Sequence, residues 1–376
     1  MNEGLLDAAT GLLPLMVDRL GELVRCESPS AVPENLELCA ELIRPWLEAA
    51  VGRPVELIRV QGTTHVVAPA PNPRVLLLGH YDTVWPIGTI TDWPFTIQGG
   101  IASGPGVFDM KGGIVQALGA ISLSRDPDHV SVVLTGDEEI GSVSSRALIR
   151  EEARRCGAVL VCEPAADGGA VKTARKGIAT YTVAIHGRAA HAGLEPHLGV
   201  NSSVELAHQI MRITALNEGD TTVTPTLASA GTTQNSVPET ARVYVDARAW
   251  TIAALERVDT AMAGLVPHLP GAQVTISGGI ERPPLEEPQA RALYAQAAAV
   301  AVELGLAPLS AARSGGGSDG NITAALGIPT LDGLGAVGGH PHARDEHVWV
   351  AAMPERAALL AALLQRLKTF TPTDDR

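Results

Sequence analysis

The chain has 376 residues, 45% of them hydrophobic and only 3% aromatic, enough for one large domain or two ordinary ones with a core of Ala, Val, Leu and Ile. Its 41 acidic residues outnumber 28 basic ones for a net charge of −13, which argues against a phosphate-tracking nucleic-acid surface and a polybasic membrane patch. Four cysteines (Cys26, Cys39, Cys156, Cys162) without CxxC spacing argue against a disulfide framework or a thiolate zinc site, and read as reduced and buried. The first residues lack a basic n-region and a small-residue cleavage site, and no apolar run approaches a membrane span. A soluble cytoplasmic protein is the expectation.

In chain order, apolar residues recur at helical spacing over 5–24 and 34–49. Val75-Leu76-Leu77-Leu78, between Pro-rich and Gly-containing flanks, reads as a buried strand. A helix over 112–124, a strand over 130–134, a helix over 144–155 and a strand over 159–162 follow. Strands alternating with helices predict an α/β, doubly wound, mostly parallel sheet covered on both faces. The texture then changes. Residues 179–187, 222–230 and 241–250 alternate polar and apolar, as half-exposed antiparallel strands do. Residues 200–213 and 251–269 are helical, and 272–277 form a short strand. This order predicts a ferredoxin-like α+β domain over 177–283, inserted into a larger domain made of 1–176 and 284–376. In the latter a helix over 287–304, a strand over 330–331 and a helix over 354–367 close the fold, and the tail TPTDDR is expected to fray.

Six residues in five segments stand where apolar runs give way to polar turns: His80 in LLLGHYDTV, Asp109 in GPGVFDMKGG, Glu138 and Glu139 in VVLTGDEEIGS, Glu163 in VLVCEP and His342 in GGHPHARDEH. Ligands bind beyond the carboxyl ends of the strands of a doubly wound sheet. His80, the Glu138–Glu139 pair and Glu163 each follow a different predicted strand. One such glutamate alone reads as a solvated loop residue; converging from separate segments, they read as a site. Two imidazoles and three carboxylates suit a pair of divalent, zinc-like ions, and a further carboxylate beside them can act as a base, which points to metal-assisted hydrolysis. Cobalt or manganese would suit similar donors. His80 and Asp82 share a face of an extended segment, where the carboxylate can accept the other ring N–H of a metal-bound histidine. Asp109, in a glycine-rich loop, suits a bridging position. Adjacent Glu138 and Glu139 divide into ligand and base.

HYDTV, GPGVFDMKGG, TGDEEIGS, CEP, GRAAHAG and GGGSD occur in this order. With them the chain resembles, over nearly its whole length, the family of dinuclear zinc carboxypeptidases, deacylases and aminoacylases typified by glutamate carboxypeptidase. The resemblance implies that His80, Asp109 and Glu163 hold one metal and Asp109, Glu139 and His342 the other. Asp109 bridges, Glu138 is the general base, Asp82 orients His80, and the peptide after Asp109 is cis. The family's last ligand stands four residues before a glutamate, which selects His342 ahead of Glu346, with His340 as the alternative. The inserted domain becomes a lid and dimerisation module. In a homodimer His191 of GRAAHAG would reach the partner's site and stabilise the tetrahedral oxyanion. Asn235 in TQNSVPE and Arg248 in VDARAW match substrate-contacting positions, and an arginine fork suits a terminal carboxylate. GGGSD, containing Gly316, opens a predicted helix whose N–H groups can cradle a carboxylate. Without the resemblance, His191 reads as an ordinary turn histidine and the glycine run as a flexible turn. The expected enzyme uses two zinc ions to cleave an N-acyl amino acid or short peptide and release a C-terminal amino acid. An N-acyl-amino-acid deacylase of the acetylornithine or succinyl-diaminopimelate type is the alternative. A non-catalytic binding relative would have lost a ligand or the base, and this chain retains them all.

Overall fold

In the computed structural model, which describes residues 4–370, a six-stranded sheet forms the centre of the first of two compact units. The tail expected to fray lies outside the described residues. The strands run in the order Glu56–Val60, Thr63–Ala68, Val130–Thr135, Val75–His80, Ala158–Val161, Thr330–Leu331. The last four are mutually parallel, and the first two are antiparallel at one edge. This is the doubly wound, mostly parallel sheet expected from the sequence. Val75–His80 and Val130–Thr135 are buried at every position, as strands covered on both faces must be. The edge hairpin Glu56–Val60/Thr63–Ala68 is an addition to the sequence reading. Its signal is Gln61-Gly62, both with positive φ (50° and 91°), as a tight two-residue hairpin turn requires.

Register brings the strand ends level. His80 pairs with Thr135, and Leu78 with Val161, so the chain leaves three neighbouring strands at one edge. The helix Gly112–Leu123 starts close against that edge: a Cβ on Gly113 would lie 2.0 Å from the Cys162 carbonyl oxygen. A backbone oxygen cannot step aside, so Gly113→Ala is expected to destabilise the fold by about 1–3 kcal/mol, seen as a lowered thermal midpoint. An unchanged midpoint would show that the helix start can shift freely.

The second unit comprises 175–286 together with 315–317. The glycines 315–317 therefore belong here and not with the larger unit, where the sequence reading put them. Its sheet runs Thr222–Ala230, Thr240–Ala249, Gly177–His186, Gln273–Arg282, all antiparallel. With the helices Ser202–Thr214 and Ile252–Ala263 this is the ferredoxin-like order. Strand Gly177–His186 alternates buried and half-buried residues. Its inward set (Ala179, Tyr181, Val183, Ile185) packs with Leu206 and Ile213 of one helix and Leu255, Val258 and Met262 of the other. The second helix stops well short of the expected 269, because Gly264, Pro267 and Pro270 follow its end. Among the described residues no helix is long and apolar enough to cross a membrane.

Candidate metal centre

All six chemistry-bearing residues of the strand ends and loops lie in the first unit, and the structure brings them together. His80 ends its strand and is 1% exposed. Its Nδ1 faces Asp82, 3.1 Å from the backbone carbonyl and 3.4 Å from Oδ1. Its Nε2 lies 3.2 Å from Asp109 Oδ1 and 3.4 Å from Glu163 Oε1. The Nε2 of His342 lies 3.3 Å from the other Asp109 oxygen, Oδ2, and 3.1 Å from Glu139 Oε1. Each oxygen of Asp109 thus faces its own imidazole, and each imidazole its own glutamate. Donor atoms of His80, Glu138 and Glu163 also lie within 4.8 Å of one another.

These spacings test the fit of a metal. Donors on a tetrahedral ion with bonds of about 2.0–2.1 Å stand about 3.3 Å apart. The 3.1–3.4 Å edges around Asp109 match that figure and exceed the 2.7–2.9 Å of charge-assisted hydrogen bonds. The electrostatics agree. Burial alone would lower the His80 pKa, but the carboxylates of Asp109, Asp82 and Glu163 outweigh it and hold the imidazole well above its usual value. Asp109 and Glu139 raise His342 to about 10. Burial would raise Asp109, yet His342 and His80 hold it well below the usual carboxylate range, while burial raises Glu139. The clustered carboxylates favour positive charge at this point, as a cation site requires.

Local structure explains the placements. Glu138 and Glu139 begin a short turn, Glu138–Ile140, whose N–H groups are tied to the buried Asp82. Oδ1 accepts from Glu138 N–H and Oδ2 from Glu139 N–H, both at 3.2 Å, and Ser30 Oγ donates to Oδ2 at 2.6 Å. Asp82 therefore adjoins the His80 ring on one side and holds the backbone of the glutamate pair on the other. Asp137 fixes the far side of the turn by accepting from Ser144 N–H and Oγ at 2.7 Å each. The Asp109–Met110 peptide is cis. Gly106 has φ 71°, and a Cβ there would stand 2.5 Å from Thr83 Cγ2, so the loop leading to Asp109 requires glycine. His340, the alternative ligand, is paired with Asp345, and its side chain is 60% exposed; the nearby His347 Nδ1 turns to the Asp345 carbonyl at 2.9 Å. Glu346, used in the sequence only to locate the ligand histidine, is fully buried and accepts N–H groups from the Asp109 loop. Burial raises its carboxyl pKa to about 7 against the pull of those N–H groups.

The other expected residues lie in the second unit. His191 pairs with Ser236 in a two-residue ladder, and Asn235 O accepts from Ala192 N–H at 2.9 Å, so these two segments adjoin. Two backbone N–H groups, of Gly193 and Leu194, donate to His191 Nδ1 at 3.1 Å, which places the ring proton on Nε2. Arg248 grips Asp246 through Nε (3.0 Å) and Nη2 (3.2 Å) and donates from Nη1 to Gly315 O at 3.3 Å. Arg175 Nη1 donates to Gly316 O at 3.1 Å and Gly317 O at 3.2 Å. The glycine segment thus turns its carbonyls to two guanidinium groups. The helix expected directly after it is the five-residue Gly320–Ala324.

The family model described as "Peptidase family M20/M25/M40" matches residues 76–366. The chain belongs to peptidase family M20/M25/M40. Among M20 relatives it is 31% identical to carboxypeptidase G2 of Pseudomonas sp. (strain RS-16), over 96% of this chain and 92% of that protein. It is 29% identical to succinyl-diaminopimelate desuccinylase of Halorhodospira halophila, over 93% and 97%. The fold also matches the Bacillus subtilis YXEP protein, a dinuclear metal-binding peptidase of the M20 family, with a TM-score of 0.69 at 17% identity, covering 96% of this chain and all of that one (100%). The M20 chain is accordingly a hydrolase of a dinuclear metallopeptidase family.

Proposed function

We propose that this M20 chain hydrolyses an amide bond to release a C-terminal amino acid, in the manner of a glutamate carboxypeptidase. The observation that carries the reading is Asp109, whose two oxygens face separate imidazole–carboxylate pairs. His80, Asp109 and Glu163 would hold one divalent ion, and Asp109, Glu139 and His342 the second; zinc is the ion we favour. When bound, such a pair polarises the scissile carbonyl and lowers the pKa of water. The chain's own residues do the rest. Glu138 takes the proton of the attacking water and returns it to the leaving amine nitrogen. Asp82 holds the Glu138–Glu139 backbone and the His80 ring in one register. His191, with its proton on Nε2, is a donor for the oxyanion of the tetrahedral intermediate, delivered to a partner subunit in a cytoplasmic homodimer. Asn235 stands beside it for the substrate.

Arg248 is the residue we assign to the substrate's α-carboxylate, with Asp246 and the Gly315–Gly316–Gly317 carbonyls fixing both arginines of that segment. Arg248→Ala is expected to raise KM about 10- to 100-fold for substrates with a free carboxylate, with kcat changed far less and no loss for carboxamide analogues. Equal losses on both kinds of substrate would remove Arg248 from this role.

Similarity to a desuccinylase supports the second reading, an N-acyl-amino-acid deacylase. Incubating zinc-loaded protein with N-acyl amino acids and dipeptides, and identifying each amino acid released, separates the two. Glutamate or another single C-terminal residue released from dipeptides and N-acyl amino acids alike supports the first. Release only from short-chain acyl donors supports the second. No release from any of them would overturn both.

A further inference from the structure

Glu346 lies outside the ligand set, yet its carboxylate is surrounded by N–H groups. Oε1 accepts from Phe108 N–H at 2.8 Å and Asp109 N–H at 2.9 Å. Oε2 accepts from Gly106 N–H and from Trp85 Nε1–H, both at 3.1 Å. Its own backbone N–H donates to Ala343 O at 3.0 Å, and its carbonyl accepts from Ser103 Oγ at 3.1 Å. One fully buried side chain therefore ties the loop of Asp109 to the turn of His342. His342 holds φ 62°, a left-handed conformation that a non-glycine residue keeps only where its surroundings over-determine it. Glu346 anchors the far end of that turn.

We propose that Glu346 is a positioning residue, a buried carboxylate that clamps the Gly106–Asp109 backbone to the His342 turn and so sets the spacing of Asp109 and His342 across the second ion. This rests on the dinuclear reading given above. The chemistry requires an acceptor on both oxygens. A carboxylate accepts only, whereas a glutamine of the same shape must turn an NH2 toward two of the four donors. A buried donor facing donors loses its hydrogen bonds without replacement. Removing Trp85 Nε1–H leaves such a glutamine with only one opposing donor, Gly106 N–H.

The test titrates metal-free wild type, Glu346→Gln, Trp85→Phe and the double variant with Co2+, reading ion stoichiometry and the visible d–d absorption, with thermal melts to confirm folding. Wild type is expected to take two Co2+ per chain. Glu346→Gln should bind the second about 10- to 100-fold more weakly, with an altered d–d band, as loss of an outer partner does. Trp85→Phe should relieve part of that loss in the double variant. A folded Glu346→Gln with wild-type affinities and spectrum overturns the proposal. So does a loss that Trp85→Phe leaves unrelieved, since general destabilisation behaves that way. Should Glu346→Gln not fold, the double variant against wild type reads the same second-ion affinity. A wild type that binds fewer than two Co2+ overturns the dinuclear reading, and with it this inference, before any substitution is made.

Discussion

Glu138→Gln is expected to lower kcat by about 10²–10⁴-fold while leaving KM and the metal content near wild type. Glutamine keeps the shape of the side chain and cannot accept a proton from water. The backbone that carries it stays fixed, because Asp82 holds the Glu138 N–H at 3.2 Å whatever the side chain is. Asp137 keeps its grip on Ser144 on the other side of the turn. The neighbouring substitution, Glu139→Gln, serves as the contrast. Glu139 Oε1 stands 3.1 Å from His342 Nε2, so its loss should appear as weakened metal binding. Steady-state kinetics with metal analysis on both variants decides the assignment. If Glu138→Gln loses metal and Glu139→Gln keeps it, the two roles are exchanged. If Glu138→Gln keeps full kcat, the base lies elsewhere.

Much of this was legible in the residues. His80, Glu138 and Glu163 follow apolar runs that can only be buried strands, and parallel strands in register put their carboxyl ends on one edge. The physics of period and burial sufficed there. Asp109 and His342 come from segments where no periodicity operates; the glycine-rich setting marked Asp109, and the motif blocks gave both residues their roles. The choice of His342 over His340 depended on its spacing to Glu346, and the structure shows why that spacing carries information: Glu346 is buried under the Asp109 loop, and a residue four before it reaches Asp109. The 56–68 hairpin escaped because His65, Val66, Val67 and Ala68 are all buried and do not alternate. The place of Gly315–Gly317 escaped because it depends on two arginines far off in sequence, Arg175 and Arg248. Long-range hydrogen bonds to a backbone leave no pattern in the chain.

Asp109→Asn should separate a ligand from a base by a different observable, stability. Any ion that binds only the folded chain stabilises it by mass action, about 2.7 kcal/mol at 100 times its dissociation constant. Wild type and Glu138→Gln are therefore expected to melt at higher temperature as zinc is added, and in parallel. Asp109→Asn should not follow them. Its amide keeps one oxygen and turns an NH2 toward either the His80–Glu163 side or the His342–Glu139 side, so one pair of donors loses its shared partner outright. The surviving oxygen is neutral and no longer offsets the charge of a cation. Because Asp109 is shared, the loss of affinity should exceed the roughly 100-fold that marks an outer partner, and activity should fall with it at any practical zinc concentration. The loop itself should survive, since Glu346 holds the Asp109 N–H at 2.9 Å and the substitution leaves that bond intact. Thermal melts across a zinc titration thus give two curves that rise and one that stays flat. An Asp109→Asn protein that rises with wild type would mean that the two donor sets bind metal without a common carboxylate, and the bridged arrangement would have to be abandoned.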